Sequence, residues 1–302
     1  MNLEFVYTLV RRNGRSRHQQ NLFNHPKINY GKKMDNEKQS SRKEISGPEF
    51  SYFELQAYWG GTKHYGGLKA TEELIELCHI NEGKYVLDVG CGVGATPCRI
   101  AKRYGCQVVG VDISERMIDW SKKRAKRESV EHRVEFRVAD AQNLPFDDAL
   151  FDAVICESVI AFVENKQKII GEYVRVTKLG GYIGLTEATW IKSPPPTELV
   201  EYLSRVTGVK EILTSDSWKE LLEISQLRDI EVRTYKINKV GQLINEMRQL
   251  GFRDFLKGWY KFLSLCIKSS AFRKYLKESW TYSRNIKNMF DYLGYGIYGG
   301  RK

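Results

Sequence analysis

The run YVLDVGCGVGAT, residues 85 to 96, restricts the fold of this chain more than any other stretch. An apolar segment ends near Asp88, glycines alternate at Gly90, Gly92 and Gly94, and a helix-forming pattern begins at Ala95. Glycine lets the backbone turn sharply and approach a ligand closely, and the following helix N-terminus presents unpaired N–H groups. Strand, glycine turn and helix in that order open a βαβ unit, which requires a parallel sheet. Gly90, Gly92 and Ala95 also satisfy the G-x-G-x-x-A dinucleotide fingerprint. The turn by itself therefore leaves a nucleotide and a nucleoside ligand both open.

The downstream pattern agrees with such a sheet. Apolar runs at Tyr85 to Val89, Val108 to Val111, Val134 to Val138, Phe151 to Cys156 and Tyr182 to Leu185 read as strands. GATPCRIAKRYG, SERMIDWSKKRAKRES and NKQKIIGEYVRVT between them read as helices, with Ser114 and Asn165 as N-caps and Gly180 and Gly181 as the stop of the third. Beyond Leu185 the spacing predicts a helix from the prolines through Leu203, a helix over Asp216 to Ile224, a strand in DIEVRTYKI, aromatic-rich helices over 240 to 290, and a short closing strand in GYGIYGGRK. The fold class read from this order is α/β with a mostly parallel sheet.

Charge is distributed unevenly. Of a net charge of +11, residues 1 to 50 hold ten Lys/Arg against five Asp/Glu, residues 51 to 250 hold 27 against 29, and residues 251 to 302 hold eleven against three. The basic ends suit nucleic acid, an anionic membrane surface or an acidic partner, and charge does not choose among them. Residues 1 to 48 lack apolar periodicity and read as a disordered basic leader, a poor match to a secretory signal. No apolar stretch approaches the ~20 residues that span a bilayer. Six cysteines without a CxxC pair predict reduced thiols in a cytoplasmic protein, with no metal site.

Three acidic positions follow three successive strands: Asp88, Asp112, and Asp140 in ADAQNLPFDD. Asp88 lies where a carboxylate repels a pyrophosphate and attracts an ammonium. Asp112 ends the second strand, where a carboxylate takes both ribose hydroxyls. Three acids and no phosphate-binding lysine suit a cationic nucleoside. With these residues in place, the chain resembles the class I S-adenosylmethionine-dependent methyltransferases. LDVGCGVG, GVDIS and DAQNLPF look like that family's motifs I, post-I and II, FDAVICESVI like its fourth-strand motif, and VTKLGGYIGLTE like its fifth. The resemblance covers about residues 84 to 187, and GYGIYGGRK looks like the seventh strand.

The resemblance implies a Rossmann-like, seven-stranded, mostly parallel sheet with helices on both faces and a helical cap inserted before the last strand. It divides the chain into the leader, an N-terminal helical segment (49–83), the core (84–239), the cap (240–290) and the final strand (291–302). YWGGTKHYGG resembles a W-G-x-x-x-H segment found ahead of the core in methyltransferases acting on sterols, tocopherols, sarcosine or quinones. That places Tyr58, Trp59 and His64 over the methyl donor; the alternative is that the aromatics pack a helix and His64 caps the surface. S-adenosylmethionine is the implied cofactor. Its methionine end would meet Asp88, Gly90 and Gly92, its ribose Asp112, and its adenine Ile113, Asp140, Ala141 and Gln142, with Cys156 and Glu157 on the floor and Cys91 and Gly94 also in the donor-binding turn. His64, Glu157 and Glu187 are the candidate bases, His64 having the best-matched ordinary pKa.

Within 240 to 290, Phe252, Phe255, Trp259, Leu263 and Cys266 recur at helical spacing beside Arg253, Lys257 and Lys261. This face predicts a lid, or a peripheral membrane contact if part of it stays exposed. The expected reaction is methyl transfer to a small-molecule or lipid-like acceptor, with no stable protein partner. RNA methylation and non-catalytic donor binding are the alternatives.

Overall fold

The computed structural model describes residues 51–59, 64–237, 252–283, 286 and 288–302. The expected leader lies outside the described residues, as do 60–63 and 238–251 and the side chains of Trp59, Phe252, Arg253, Phe255 and Lys257.

Seven strands form one continuous path: β1 (Tyr85–Val89), β2 (Gln107–Asp112), β3 (Val134–Val138), β4 (Phe151–Glu157), β5 (Thr177–Trp190), β7 (Arg228–Lys236) and β8 (Leu293–Arg301). Their order is β3-β2-β1-β4-β5-β8-β7. The first five run parallel, and β8 is antiparallel to both β5 and β7. A two-residue strand, β6 (Leu213–Thr214), pairs with the end of β5 and brings the described strands to eight. Strands buried on both faces read as nearly unbroken apolar runs, which is why β1 and β4 stood out in the sequence.

Two apolar layers flank the sheet. On one face α2 (Gly67–Leu77), α3 (Ala95–Tyr104) and α4 (Glu115–Glu128) bury Leu74, Ile75, Ile100 and Ile118 against Val86, Val108, Ile155 and Ile297. On the other, α5 (Lys166–Val176) and α7 (Ser215–Ile224) bury Ile169, Ile170, Tyr173, Trp218 and Leu222 against Leu87, Val154 and Leu185. Helix α1 (Tyr52–Trp59) precedes these, and α6 (Thr197–Tyr202) continues into a π-helical turn through Thr207. Ser114 and Asn165 do cap their helices, accepting from the Met117 and Lys168 N–H groups.

Gly180 and Gly181 do not end α5. The helix stops at Val176, and Thr177 already pairs with Phe151 of β4 before a register shift. The glycines belong to that bulge inside β5. The closing strand, expected to be short, runs nine residues because both of its edges are paired.

Helices α8 (Phe252–Lys268), α9 (Ser270–Ser283) and α10 (Met289–Tyr292) occupy the chain before β8. The buried face of α8 is not the expected Trp259, Leu263 and Cys266 stripe. Phe262 and Leu265 are buried while Leu263 is exposed, and Lys261 folds over the Tyr58 and Trp120 rings instead of joining a solvent-facing basic stripe. Among the described residues no helix is long and apolar enough to cross a membrane.

Candidate active site

The strand order reverses between β1 and β4, and ligands of open α/β sheets bind beyond the carboxyl ends of strands at such a switch point. A cavity of about 810 Å³ opens there. The first wall is the glycine turn. Gly90 and Cys91 donate backbone N–H bonds to the Val111 carbonyl at 2.7 and 2.9 Å, which folds the turn back over β2. Gly90 has φ +77°, and a Cβ there would stand 2.2 Å from Val159 Cγ2. Only glycine leaves room for both the turn and that valine.

Asp112 is held at both oxygens. Oδ2 accepts from the Gly92 N–H and Oδ1 from the Ser114 N–H, each at 2.9 Å. Burial raises its pKa and these two bonds oppose the rise. The arrangement fixes the carboxylate against the turn and leaves each oxygen a further lone pair for a hydroxyl. Asp140 accepts from the Gln142 N–H at 2.9 Å, and it lines the cavity with Ile113, Ala141 and Gln142. Asp88 is 2% exposed, and burial, with the charges of Glu157 and Asp112, pushes its pKa well up. A cation placed in the cavity would relieve that strain.

The opposite wall centres on Glu157, at the end of β4. Its Oε1 accepts from Thr96 Oγ1 at 2.7 Å, and its Oε2 from Thr71 Oγ1 at 2.9 Å. His64 Nδ1 lies 3.2 Å from the same Oε2, with the two side chains only 10% and 7% exposed. Carboxylate and imidazole therefore form a buried pair facing the cavity. Phe53, Val159, Phe162 and Val163 add an apolar lining, Phe53 meeting Phe162 edge to face at 4.8 Å.

Several expected site residues lie elsewhere. Cys156 points into the opposite apolar layer with Val89 and Tyr173, because side chains alternate along β4. Tyr58 is turned toward α8, its carbonyl accepting from Lys261 Nζ at 3.2 Å. Gly94 is outside the lining; a Cβ there would come within 2.9 Å of Phe136 and Ser121, so it lets α3 pack closely. Glu187, a candidate base, does not line the cavity. It is fully buried, accepts from the Val159 and Ile160 N–H groups at 2.8 and 2.7 Å, and holds the cavity wall from behind. Burial raises its pKa to about 7. His64, Asp88, Gly90, Cys91, Gly92, Asp112, Ile113, Asp140, Ala141, Gln142 and Glu157 do converge on the cavity.

Sequence reasoning missed Thr71, Thr96, Phe53, Gln56 and Lys210. Thr96 carried a faint signal, a hydroxyl in the first turn after the glycines. Thr71 had none, since it meets Glu157 across 86 residues. Among the described residues no group of His, Cys, Asp and Glu is placed to hold a metal.

The glycine cradle, the carboxylate at each contact and the cavity volume fit S-adenosylmethionine, whose ammonium and sulfonium are both cationic. Comparison with known proteins agrees. A family model described as a methyltransferase domain matches residues 87–185. An uncharacterised protein of Haemophilus influenzae is 32% identical over 168 residues, covering 55% of this chain and 67% of that protein. Phosphoethanolamine N-methyltransferase 1 of Zea mays is 27% identical over 212 residues, covering 64% of this chain and 41% of the maize protein. The chain thus spans about two fifths of that relative's length. Haemonchus contortus phosphoethanolamine N-methyltransferase 2, solved with phosphomonomethylethanolamine and S-adenosylhomocysteine, matches with TM-score 0.63 at 21% identity. That alignment covers 82% of this chain and 57% of the other, and carries the fold. The chain belongs to the class I S-adenosylmethionine-dependent methyltransferases, and S-adenosylmethionine is its cofactor.

Proposed function

We propose that the protein methylates a small, apolar or lipid-like acceptor whose nucleophile gives up a proton to His64. The observation that carries this reading is the buried His64–Glu157 pair across the cavity from the glycine turn. S-adenosylmethionine supplies a methyl carbon activated by its positive sulfur. The chain's own residues do the rest. Asp88 and Asp112 would hold the donor through charge and hydrogen bonds, and Asp140, Ala141 and Gln142 would surround its base. Glu157, itself fixed by Thr71 and Thr96, lies 3.2 Å from His64 Nδ1 and favours the tautomer with hydrogen on that nitrogen, which leaves Nε2 as the proton acceptor. The apolar side chains of Phe53, Val159 and Phe162 exclude water from their part of the cavity.

The contact of Lys261 with Tyr58 and Trp120 ties α8 to α1, which supports a capping role for the helices of 240–290. The free, mostly buried cysteines support a cytoplasmic location.

The test is calorimetric titration with S-adenosylhomocysteine, followed by incubation with methyl-labelled donor and separated lipid, small-molecule and RNA fractions. Binding with label in the lipid or small-molecule fraction supports the reading. Label in RNA, or binding with no transfer to any fraction, overturns it.

A further inference from the structure

Helix α8 has an apolar side that its own packing leaves uncovered. Its inner face, Phe262 and Leu265, is buried, with Phe262 edge to face against Phe272 of α9 at 5.2 Å. On the outer face Tyr260, Leu263 and Ile267 are 76%, 51% and 78% exposed. Their spacing of i, i+3 and i+7 puts them on one stripe. Single exposed apolar residues are ordinary on any surface; an aligned set opposite a buried face marks a contact. The end of the stripe is cationic. Lys268 is exposed immediately after Ile267, and the Arg273 guanidinium donates to the Cys266 and Ile267 carbonyls at 3.1 and 2.9 Å, so its charge sits at the α8 C-terminus. Lys277 is exposed on the neighbouring helix, beside Lys274, which pairs with Glu278 at 3.9 Å.

We propose that this face docks on an anionic lipid surface, with Tyr260, Leu263 and Ile267 entering the headgroup boundary and the cations meeting lipid phosphates. The charges select this occupant. A second copy would bring the same cations against one another, and an RNA strand offers nothing for the aliphatic Leu263 and Ile267 to stack on. The inference stands apart from the proposed chemistry, since none of these side chains lines the cavity.

The test is flotation of the full chain with vesicles of phosphatidylcholine alone and of phosphatidylcholine with phosphatidylglycerol at about seven to three. The expected result is binding to the mixed vesicles only, weakened by salt, with a loss of about tenfold or more in the combined Tyr260→Ser, Leu263→Ser, Ile267→Ser variant. Lys268→Glu with Lys277→Glu should weaken binding to the mixed vesicles as well. All five positions are exposed, and unchanged S-adenosylhomocysteine affinity confirms that the variants fold. Absence of wild-type binding, equal binding to neutral vesicles, or an unaffected triple variant overturns the proposal. So does a dimer, or retained RNA, that the triple substitution abolishes.

Discussion

On the proposed reading, the donor side of the cavity comes from one stretch of chain, Asp88 to Gln142, whereas the acceptor side gathers Phe53, His64, Thr71, Glu157 to Glu164 and Lys210 from segments far apart. On the donor side the key groups are held by backbone N–H groups, Asp112 by Gly92 and Ser114 and Asp140 by Gln142. On the acceptor side the key group is held by side chains distant in sequence, Glu157 by Thr71 and Thr96. Backbone contacts do not depend on side-chain identity, whereas the contacts that hold Glu157 do. The two walls meet at Gly90 and Val159.

That meeting point gives the largest expected effect. Gly90→Val would place atoms inside the Val159 side chain at a backbone angle that valine avoids. Donor binding by calorimetry should be lost, with the fold retained by circular dichroism; measurable affinity would show that the walls are not coupled there. His64→Ala tests the acceptor side alone. Turnover should fall about 10² to 10⁴-fold with donor affinity unchanged, and Glu157→Gln should lower the same rate. An unaffected rate ends the assignment of His64 as base.

Glu187 sharpens the comparison from behind the wall. Its folded pKa, about 7, is raised from the ordinary 4.5, so the folded state favours the neutral acid. The associated stability is fully present below about pH 4.5 and is lost as pH rises through about 7. Glu187→Gln should remove that loss, worth ~3 kcal/mol, and keep the bonds from Val159 and Ile160. Thermal melts at pH 5 and pH 8 measure it, and an unchanged difference between the two would reject the titration. The smallest effect belongs to the donor side. Asp112→Ala should weaken S-adenosylhomocysteine by roughly 1.5 to 3 kcal/mol through lost charge-assisted hydrogen bonds. Unaltered affinity would remove Asp112 from the ribose role.

The same division explains what could be read in advance. β1, the glycine turn, β2 with Asp112, and the Asp140 block announce themselves because each couples a buried strand to a local turn, and both leave a pattern in neighbouring residues. Cys156 and Glu187 went astray because assigning a face requires the phase of the strand, and a shift of one residue reverses it. In β5 the bulge near Gly180 and Gly181 unsettled that phase. The α8 stripe was misjudged by one position, Leu263 for Phe262, because apolar residues lie on both sides of the boundary between its buried and exposed faces. Thr71 and Lys210 were invisible, since nothing near them in sequence depends on the cavity.

The fit of Val159 into the space left by Gly90 bears on how such a protein can change. Acceptor preference can drift through Phe53, Phe162 or Lys210 without touching the donor. A larger residue at 159 has no such latitude, because it would press directly on the turn that seats the donor. Diversification of the pocket, natural or engineered, should therefore spread outward from α1 and the 208–212 loop and leave position 159 small.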